Sequence, residues 1–401
     1  MSDLLNDLNI KIIDIDTHVV EPYDLWTSRV STQKYGNRVP HVRTIDGVDL
    51  WFQGDMPLGF CPAAGVAAAG YDQTPPNWAP NLDSVLPHTW RAEDRLKAMD
   101  DYGVYAQVMY PNVGGFSGGN YRKLGDMDLA LELLKAYNDW QTDYASIAPK
   151  RFLPMTVLPF WDIDLMNQEM ERCVKKGHKG VAMTFEPESF GEPVLSDKYW
   201  DPFWARAEEM GMSINFHVAG GANIDASALE MLNSKDHGRA TSFSALSSIM
   251  FVGNAKALGI IIFSGICHRF PKLNFVSVES GVSWLPFVLE GMDWMWSEVE
   301  VQKEHPEYDL LPSEYFKRQI YGSFWFESGP MLKAAIEQLG TDRVMFETDF
   351  PHPTSMSPGP ASPGGMSPRD FVNNRLTDMP PDMLRDVLQN NAAKVYHVDL
   401  D

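Results

Sequence analysis

Short runs of β-branched and aromatic residues alternate along the chain with longer segments of helical periodicity. Eight such runs occur, and most are apolar on both faces, as expected for strands buried in a parallel sheet. Strands that alternate with helices indicate repeated βα units, and eight parallel strands are the number that closes a barrel. The sequence therefore predicts one (β/α)8 barrel, a TIM barrel, over residues 1–401. Its eight predicted strands are residues 11–16, 104–111, 151–159, 179–185, 212–218, 273–280, 319–327 and 342–350.

Several helices are predicted between these strands. Residues 91–102 end before a glycine, the usual residue after a helix C-terminus. Residues 129–147 follow Asp128, which is a candidate N-cap. The long apolar run 246–267 could contain a strand at 260–265, but that strand would be the ninth. We therefore expect a buried helix there.

Two long insertions exceed what a minimal barrel requires. Residues 29–89 contain a hairpin-like segment with Asp46 and Gly47 at its turn, and residues 351–380 are rich in Pro, Ser and Met. Both follow the carboxyl ends of strands, where barrel enzymes place their sites, so both are predicted to cover the C-terminal face of the barrel. Residues 29–89, or the helices, could also build a dimer interface. Three residues of the insertions are candidates for an apolar pocket wall: Trp51, Trp78 and Met356.

Charge and composition restrict the possible partners. The chain has 33 basic and 54 acidic residues, a formal net charge of −21, which disfavours nucleic acid and anionic membrane surfaces. Only three cysteines occur, far apart, and the amino terminus shows no signal-peptide pattern. We expect a cytoplasmic enzyme that acts on a small molecule, without nucleic-acid or membrane partners, as a homodimer or higher homo-oligomer.

Four polar side chains at strand ends suggest a metal centre. Asp16 and His18 end the first predicted strand two residues apart, so both side chains point to the same face. His217 ends the fifth strand and Asp349 the eighth. Because the carboxyl ends of barrel strands meet at one face, these four groups are predicted to bind one divalent ion. Zinc suits the imidazoles and is the first expectation, whereas the carboxylates would also suit manganese or iron.

These residues stand in motifs that resemble the amidohydrolase superfamily, in the branch that includes aminocarboxymuconate-semialdehyde decarboxylase, aromatic-acid decarboxylases and related hydrolases. The resemblance covers nearly the whole barrel. Its motifs are DTHVVEP (16–22), RLKAMDDYGV (95–104), RFPKLNFVSVESG (269–281), ETDFPHP (347–353) and LQNNAAKVY (388–396).

The resemblance implies roles for individual residues. The family's metal ligands fall on Asp16, His18, His217 and Asp349, and its strand-six histidine falls on Glu279. That glutamate is a departure, because it brings negative charge where relatives have a neutral imidazole. The strand-four segment ends in Met183, Thr184 and Phe185, so its carboxyl end offers no lysine for the carbamylated bridge of binuclear relatives, which implies a single ion.

Further polar residues are candidates for contact with the site or the substrate. His352 follows Asp349 by three residues and is expected beside the site as a proton donor or a supporting residue. Glu21 could orient His18 or face solvent, and His88 and Arg91 could contact the substrate. The predicted catalytic residues are Asp349, Glu279 and His352.

Three functions fit this site. A hydrolase would use Asp349 to take a proton from a metal-activated water, which would then attack an ester, thioester, amide or related carbonyl. The acidic ligand set and the aromatic-rich insertions favour this hydrolase, with a bulky, largely apolar substrate. The alternative is a non-oxidative decarboxylase of an aromatic or unsaturated acid, for which Arg91 is the one candidate near the substrate carboxylate. A non-catalytic metal-binding barrel is the third possibility.

Overall fold

Eight parallel strands form the central sheet of the computed structural model, which describes residues 3–59, 61–220, 236, 238–353, 355–359, 362 and 364–400. The order in the sheet follows the chain, and a parallel bridge between Thr17 and Phe350 joins the last strand to the first. The predicted (β/α)8 barrel is confirmed, and all eight predicted strands are present. The strands of the barrel are β1 (Ile12–His18), β5 (Val104–Tyr110), β6 (Phe152–Val157), β7 (Gly180–Ala182), β8 (Ser213–His217), β9 (Phe275–Val278), β10 (Ile320–Phe324) and β11 (Val344–Phe346).

Helices surround the sheet, and apolar side chains fill the space between the two layers. The barrel interior forms a second apolar cluster, which includes Tyr396 near the carboxyl terminus. The helices of the described chain are α1 (Leu4–Asp7), α2 (Thr32–Tyr35), α3 (Ala92–Tyr102), α4 (Gly119–Arg122), α5 (Met127–Ala145), α6 (Ile163–Val174), α7 (Asp201–Met210), α8 (Arg239–Met250), α9 (Ala255–Phe263), α10 (Ile266–Arg269), α11 (Leu285–Glu298), α12 (Val301–Glu304), α13 (Pro312–Gln319), α14 (Gly329–Leu339), α15 (Pro368–Arg375), α16 (Pro381–Arg385) and α17 (Asn391–Val395).

Two helix predictions need correction. Helix α5 begins at Met127, and its N-cap is Asp126, whose side chain accepts a hydrogen bond from the N–H of Leu129. The cap is therefore two residues earlier than predicted. The run 246–267 is helical, as expected, but the chain turns between α8 and α9, and only Ser242 and Leu246 of α8 are buried.

The stretch 239–263 is the one candidate membrane span in the described chain, by length and composition alone. Buried helices of water-soluble proteins pass the same test. In this stretch Asn254 is buried, and its side-chain amide donates hydrogen bonds to the backbone oxygens of Phe216 and Val278. These contacts fix the stretch on the outside of the barrel.

The first insertion contains a small antiparallel sheet: β2 (His41–Ile45), β3 (Val48–Gln53) and β4 (Met56–Pro57). The predicted turn is correct, since Asp46 and Gly47 both have positive φ, as a two-residue type I′ hairpin requires. Farther along, the N–H groups of Ala68 and Ala69 donate to the carbonyl oxygen of Pro351. This part of the insertion therefore lies at the carboxyl end of the barrel, beside the second insertion.

Of the three proposed pocket residues, Trp51 is a core residue. It is buried, and its ring packs against Trp26 at 5.2 Å. Met356 contributes to a small internal cavity beside α3. Trp78 packs edge-on against Phe243 at 6.0 Å.

His178, between α6 and β7, is a buried histidine that the structure places away from the metal-ligand candidates. Its two ring nitrogens lie 3.0 Å and 3.2 Å from the hydroxyl oxygens of Thr142 and Thr156. Burial lowers the pKa of His178 from 6.5 to about 4, because the imidazolium form would lose its hydration.

This depressed pKa predicts acid lability. The unfolded chain binds a proton more tightly than the folded one, so the stabilisation is complete above pH 6.5 and is lost as the pH falls towards 4. The loss amounts to about 3 kcal/mol at most. The free energy of unfolding measured against pH should fall less steeply over this window in His178→Asn than in the parent. Parallel curves would show that His178 does not titrate in this way.

Candidate metal centre

The four predicted ligands meet at the carboxyl end of the barrel. Asp16 and His18 end β1, His217 ends β8 and Asp349 follows β11, and all four are buried. The His18 Nε2 atom lies 3.1 Å from His217 Nε2, 3.5 Å from Asp16 Oδ1 and 3.7 Å from Asp349 Oδ1. Ligand atoms of Asp16, His18 and His217 lie close enough together to bind a common ion, and Asp349 forms such a group with Asp16 and Glu279. That they do so remains a prediction.

A bulge in β1 directs these side chains. The pairing of β1 with β5 changes register between Asp14 and Thr17, and such bulges re-aim side chains beside active sites. Asp14 consequently faces α3. Its carboxylate accepts hydrogen bonds from the N–H and the hydroxyl of Thr348, which follows β11. Asp16 and His18 point into the barrel mouth.

The two histidines are oriented as metal ligands are. Each Nδ1 lies beside a backbone oxygen, that of Pro111 for His18 and that of Val218 for His217, at 3.2 Å and 2.7 Å. Hydrogen bonds to these carbonyls require Nδ1 to carry the proton, so in each neutral ring Nε2 has a free lone pair. Two lone pairs that face each other at 3.1 Å repel, and a cation between them and the carboxylates removes the repulsion.

The carboxylate of Asp16 supports the same conclusion. Neither of its oxygens has a hydrogen-bond donor of normal geometry among the described residues, although the side chain is fully buried. Burial raises the pKa of Asp16, and the nearby His217 opposes this rise. Burial also lowers the pKa of His18 well below its usual value, which favours the neutral imidazole that a metal needs. The residues present therefore fit a divalent ion.

Glu279 lies at the same face, one residue after β9. Its Oε2 atom is 3.5 Å from His217 Nδ1, and its oxygens can share an ion with Asp16 and Asp349. Burial raises the pKa of Glu279 well above its usual range, and the charges of Asp349 and Asp16 raise it further. Glu279 and Asp349 both have positive φ, a conformation that is uncommon for residues with a side chain and is enriched at active sites.

His352 adjoins Asp349 through a hydrogen-bonded chain. Its Nδ1 atom lies 2.8 Å from Asp349 Oδ1, and its ring stacks on His18 with 3.8 Å between centroids. Its Nε2 atom lies 2.8 Å from Asn112 Oδ1. The amide orientation of Asn112 is fixed, because its Nδ2 donates to the Val19 carbonyl and to Glu21. The Nε2 atom of His352 therefore carries a proton, and Nδ1 faces Asp349.

Glu21 neither orients His18 nor faces solvent, the two alternatives that the sequence left open. Its buried carboxylate contacts neither His18 nor solvent, and instead accepts hydrogen bonds from the N–H groups of Asn112 and Val113. Glu21 thus fixes the loop that follows β5. Through Asn112 it also fixes the orientation of His352.

Two other candidates lie outside the ligand group. Arg91 is exposed, with its guanidinium 4.4 Å from the ring centre of Trp90. His88 stacks on Phe350 with 5.5 Å between centroids. The nearby buried arginine, Arg95, donates to the backbone oxygen of His18 and to Gln107. Among the described residues, no arginine contact to the ligand side chains is found.

The sequence reading missed three residues of the site. Phe116 packs against the rings of His217, His18 and His352, with centroid distances of 4.3, 5.0 and 5.7 Å. Asn112 has the role described above. Glu347 is fully buried below the site, where its Oε2 accepts a hydrogen bond from the N–H of Glu279. Asn112 and Phe116 follow a predicted strand at its carboxyl end, and Glu347 precedes Asp349 by two residues. Their positions in the chain were therefore the signal from which a place at the site could have been predicted.

The fold is that of (β/α)8 barrel enzymes, and the candidate ligands lie at the face where such enzymes place their sites. The chain belongs to the amidohydrolase family, whose sequence model matches residues 13–398. Gamma-resorcylate decarboxylase of Rhizobium radiobacter is 25% identical over 274 residues, which cover 65% of this chain and 76% of that protein.

Solved structures share the fold across the whole chain. An amidohydrolase of Mycobacterium avium subsp. paratuberculosis has a TM-score of 0.73 at 19% identity, covering 97% of this chain and 99% of that one. The 5-carboxyvanillate decarboxylase of Novosphingobium aromaticivorans, complexed with manganese and 4-hydroxy-3-methoxy-5-nitrobenzoic acid, has a TM-score of 0.64 at 18% identity, covering 99% of both chains.

These relatives correct the predicted function. The preference for a hydrolase is wrong, because decarboxylases recur among the related sequences and structures. These relatives support the alternative prediction, a non-oxidative decarboxylase. The acidic ligand set had favoured the hydrolase. A cation bound by those ligands would offset their charge and act on a substrate carboxylate at contact distance.

Proposed function

We propose that this protein is a metal-dependent, non-oxidative decarboxylase of an aromatic or unsaturated carboxylic acid. The observation that carries the proposal is the sequence relationship to gamma-resorcylate decarboxylase, which spans 76% of that protein. Two buried groups of possible ligands, one of Asp16, His18 and His217 and one of Asp16, Glu279 and Asp349, support a catalytic metal. The proposed partner is a small organic acid in the cytoplasm, with no nucleic acid or membrane involved.

One divalent ion is proposed at Asp16, His18, His217 and Asp349. The mixed imidazole and carboxylate set suits manganese as well as zinc, and manganese is present in a structural relative. When bound, the ion supplies positive charge that holds a substrate carboxylate together with a neighbouring hydroxyl. That charge matters here because Arg91, the arginine expected to meet the carboxylate, is exposed on Trp90.

The side chains around the ion have to supply a proton. Decarboxylation breaks the bond between the ring and its carboxylate, the bonding electrons stay on the ring carbon, and a proton takes the place of CO2. Two groups of the site can deliver it: Glu279, and His352 together with Asp349. Asn112 and Glu21 orient His352 for this task.

The loop after β5 provides an apolar wall. Phe116 lies between Gly115 and Gly118, which both have positive φ. The next residue, Ser117, donates a hydrogen bond from its hydroxyl to the carbonyl oxygen of Gly220. The Phe116 ring covers His18, His217 and His352 and reduces the space for water beside them. An aromatic acid is the substrate class that this wall suits, because its ring can pack on Phe116.

A substrate panel tests the proposal. The purified, manganese-loaded protein is incubated with hydroxy- and dihydroxybenzoates, methoxylated phenolic acids and matched esters and thioesters. Release of CO2 with formation of the ring-protonated product is expected for at least one acid. Turnover of the esters or thioesters with none of the acids would overturn the proposal.

Removal of the metal should abolish this activity. After dialysis against a chelator, CO2 release is expected to fall to background and to return when Mn²⁺ is added back in equimolar amount, with the metal content measured by mass spectrometry. Zn²⁺ is added in a parallel sample, because zinc was the first expectation from the sequence. Full activity in a protein shown to be free of metal would contradict a metal-dependent reaction.

A further inference from the structure

The barrel closes where its last strand meets its first, and this seam between β11 and β1 has few backbone contacts. Each of the other seven pairs of neighbouring barrel strands forms a parallel ladder of three or more residue pairs. Among the described residues, β1 and the segment after β11 share one bridge, between Thr17 and Phe350. Asp16 and His18 stand on one side of the seam and Asp349 on the other. The spacing of these candidate ligands therefore depends on what holds the seam closed.

Arg95, on α3, lies against this seam and is 1% exposed. Its Nη1 atom donates a hydrogen bond to the carbonyl oxygen of His18 at 2.7 Å, and its guanidinium lies 4.8 Å from the centre of the Phe350 ring. The N–H of His18 donates to the carbonyl oxygen of Phe350, also at 2.7 Å. Arg95 thus contacts a residue on each side of the seam and bonds to the backbone of a candidate ligand.

A second hydrogen bond fixes the guanidinium. The Nε atom of Arg95 donates to Oε1 of Gln107, on β5, at 2.7 Å. Two bonds from one planar, rigid group determine its orientation, which an ammonium group on a flexible stem could not do. Burial of this charge costs free energy, and the negative charge of Asp14 compensates part of that cost. An apolar side chain could fill the same space without the cost, so the arginine indicates a need for its directed bonds.

The bonds of Arg95 act on the position of the His18 ring. Both backbone groups of His18 are held, its N–H by Phe350 and its carbonyl by Arg95. Its Nδ1 atom lies beside the oxygen of Pro111, so Nε2 is directed towards Oδ1 of Asp349, 3.7 Å away. Because metal–ligand bonds vary little from about 2.0–2.2 Å, a wider seam would move a ligand out of bonding range.

We propose that Arg95 is a positioning residue of the metal centre, which sets the spacing between His18 and Asp349 by holding the seam closed. Arg95 acts through the backbone of His18 and the ring of Phe350. This role rests on the divalent ion of the proposed function, but not on the reaction that the ion serves. It can therefore be tested without a substrate.

Titration of the metal-free full chain with Mn²⁺ tests this role. Arg95→Met keeps a long, unbranched side chain but removes both donors. Its dissociation constant for Mn²⁺, measured by calorimetry, is expected to rise about 10–100-fold, as is typical when residues that orient metal ligands are lost. The electron paramagnetic resonance spectrum of the bound Mn²⁺ should change as well, because it reports the arrangement of the ligands around the ion.

Arg343→Met is the matched control. Arg343 lies at the opposite end of β11, is 9% exposed and makes the same kinds of contact. Its Nε atom bonds to the carbonyl oxygen of Lys317, and its guanidinium lies 4.9 Å from the centre of the Tyr321 ring. This variant loses comparable contacts away from the ligands. It should therefore unfold at a lower temperature than the parent, while its affinity for Mn²⁺ and its spectrum stay parental.

Arg95→Lys is a second variant that should fold even if Arg95→Met does not, since it keeps the positive charge beside Asp14. One ammonium group cannot form both directed bonds, so the dissociation constant for Mn²⁺ should again rise, by a smaller factor. Parental affinity in either folded Arg95 variant, or an equal loss in Arg343→Met, would overturn the proposal. A parent that binds Mn²⁺ but releases CO2 from none of the acids would contradict the proposed reaction alone.

Discussion

Asp349→Asn is expected to abolish decarboxylation. Asp349 is a proposed ligand of the ion, and its Oδ1 atom also contacts His352 Nδ1 at 2.8 Å, where a proton has to lie. Asparagine is uncharged, binds a divalent cation more weakly and cannot take up that proton. Loss of a positioned proton-transfer group alone typically lowers a rate by ~10²–10⁴-fold, and weaker metal binding adds to the loss. The rate of CO2 release and the metal content per chain are measured together.

Asp14→Asn is the matched control for this variant. Asp14 is equally buried, but its oxygens accept hydrogen bonds from Thr348, from the Gln107 amide and from the backbone N–H of Asp16, and not from a ligand side chain. The control should keep its metal, even if it unfolds at a lower temperature. If Asp349→Asn kept both its metal and more than about a tenth of the parent rate, neither role of Asp349 would stand.

The barrel and the positions of the candidate ligands could be predicted because both follow from local patterns. A strand buried on both faces has to be apolar throughout, so polar residues at the carboxyl ends of such strands are conspicuous. Asp16 and His18 were placed on one face by the two-residue repeat of a strand. His217 and Asp349 follow from the barrel, since it brings the ends of all strands to one rim.

The supporting residues could not be predicted, because their contacts join segments far apart in the chain. Asn112 is 91 residues from Glu21 and 240 residues from His352, and its role depends on the direction in which its amide is turned. The loop that carries Phe116 has no periodicity from which a contact with His217 could be inferred. The bulge in β1, which turns Asp14 away from the site, is likewise a property of strand pairing.

The type of reaction could not be predicted from the sequence pattern for a different reason. The same ligands can activate a water or hold a substrate carboxylate, so the ligand set does not distinguish hydrolysis from decarboxylation. What distinguishes them is the space beside the ion and the position of the proton donors. Phe116 and Asn112 contribute to that space and to the position of the proton donors. They could be identified as site residues only from the folded structure.

Glu279→Gln is expected to lower the decarboxylation rate strongly while the metal stays bound. The substitution keeps the size of the side chain and one oxygen atom near His217 Nδ1, but the amide cannot deliver a proton. If Glu279 supplies the proton to the substrate carbon, kcat should fall ~10²–10⁴-fold with little change in KM. Metal content and circular dichroism show whether the ion and the fold are retained.

Glu327→Gln is the matched control for the Glu279 variant. Glu327 is a half-buried carboxyl group near the end of a barrel strand, but it bonds to the backbone N–H groups of Val282 and Ser283, and glutamine can still accept such bonds. Its rate should stay near that of the parent. A near-parental rate in Glu279→Gln would make Glu279 a structural hydrogen-bonding residue. Loss of the ion, with the rate restored by excess Mn²⁺, would instead make it a ligand, and either result would leave proton delivery to the pair of Asp349 and His352.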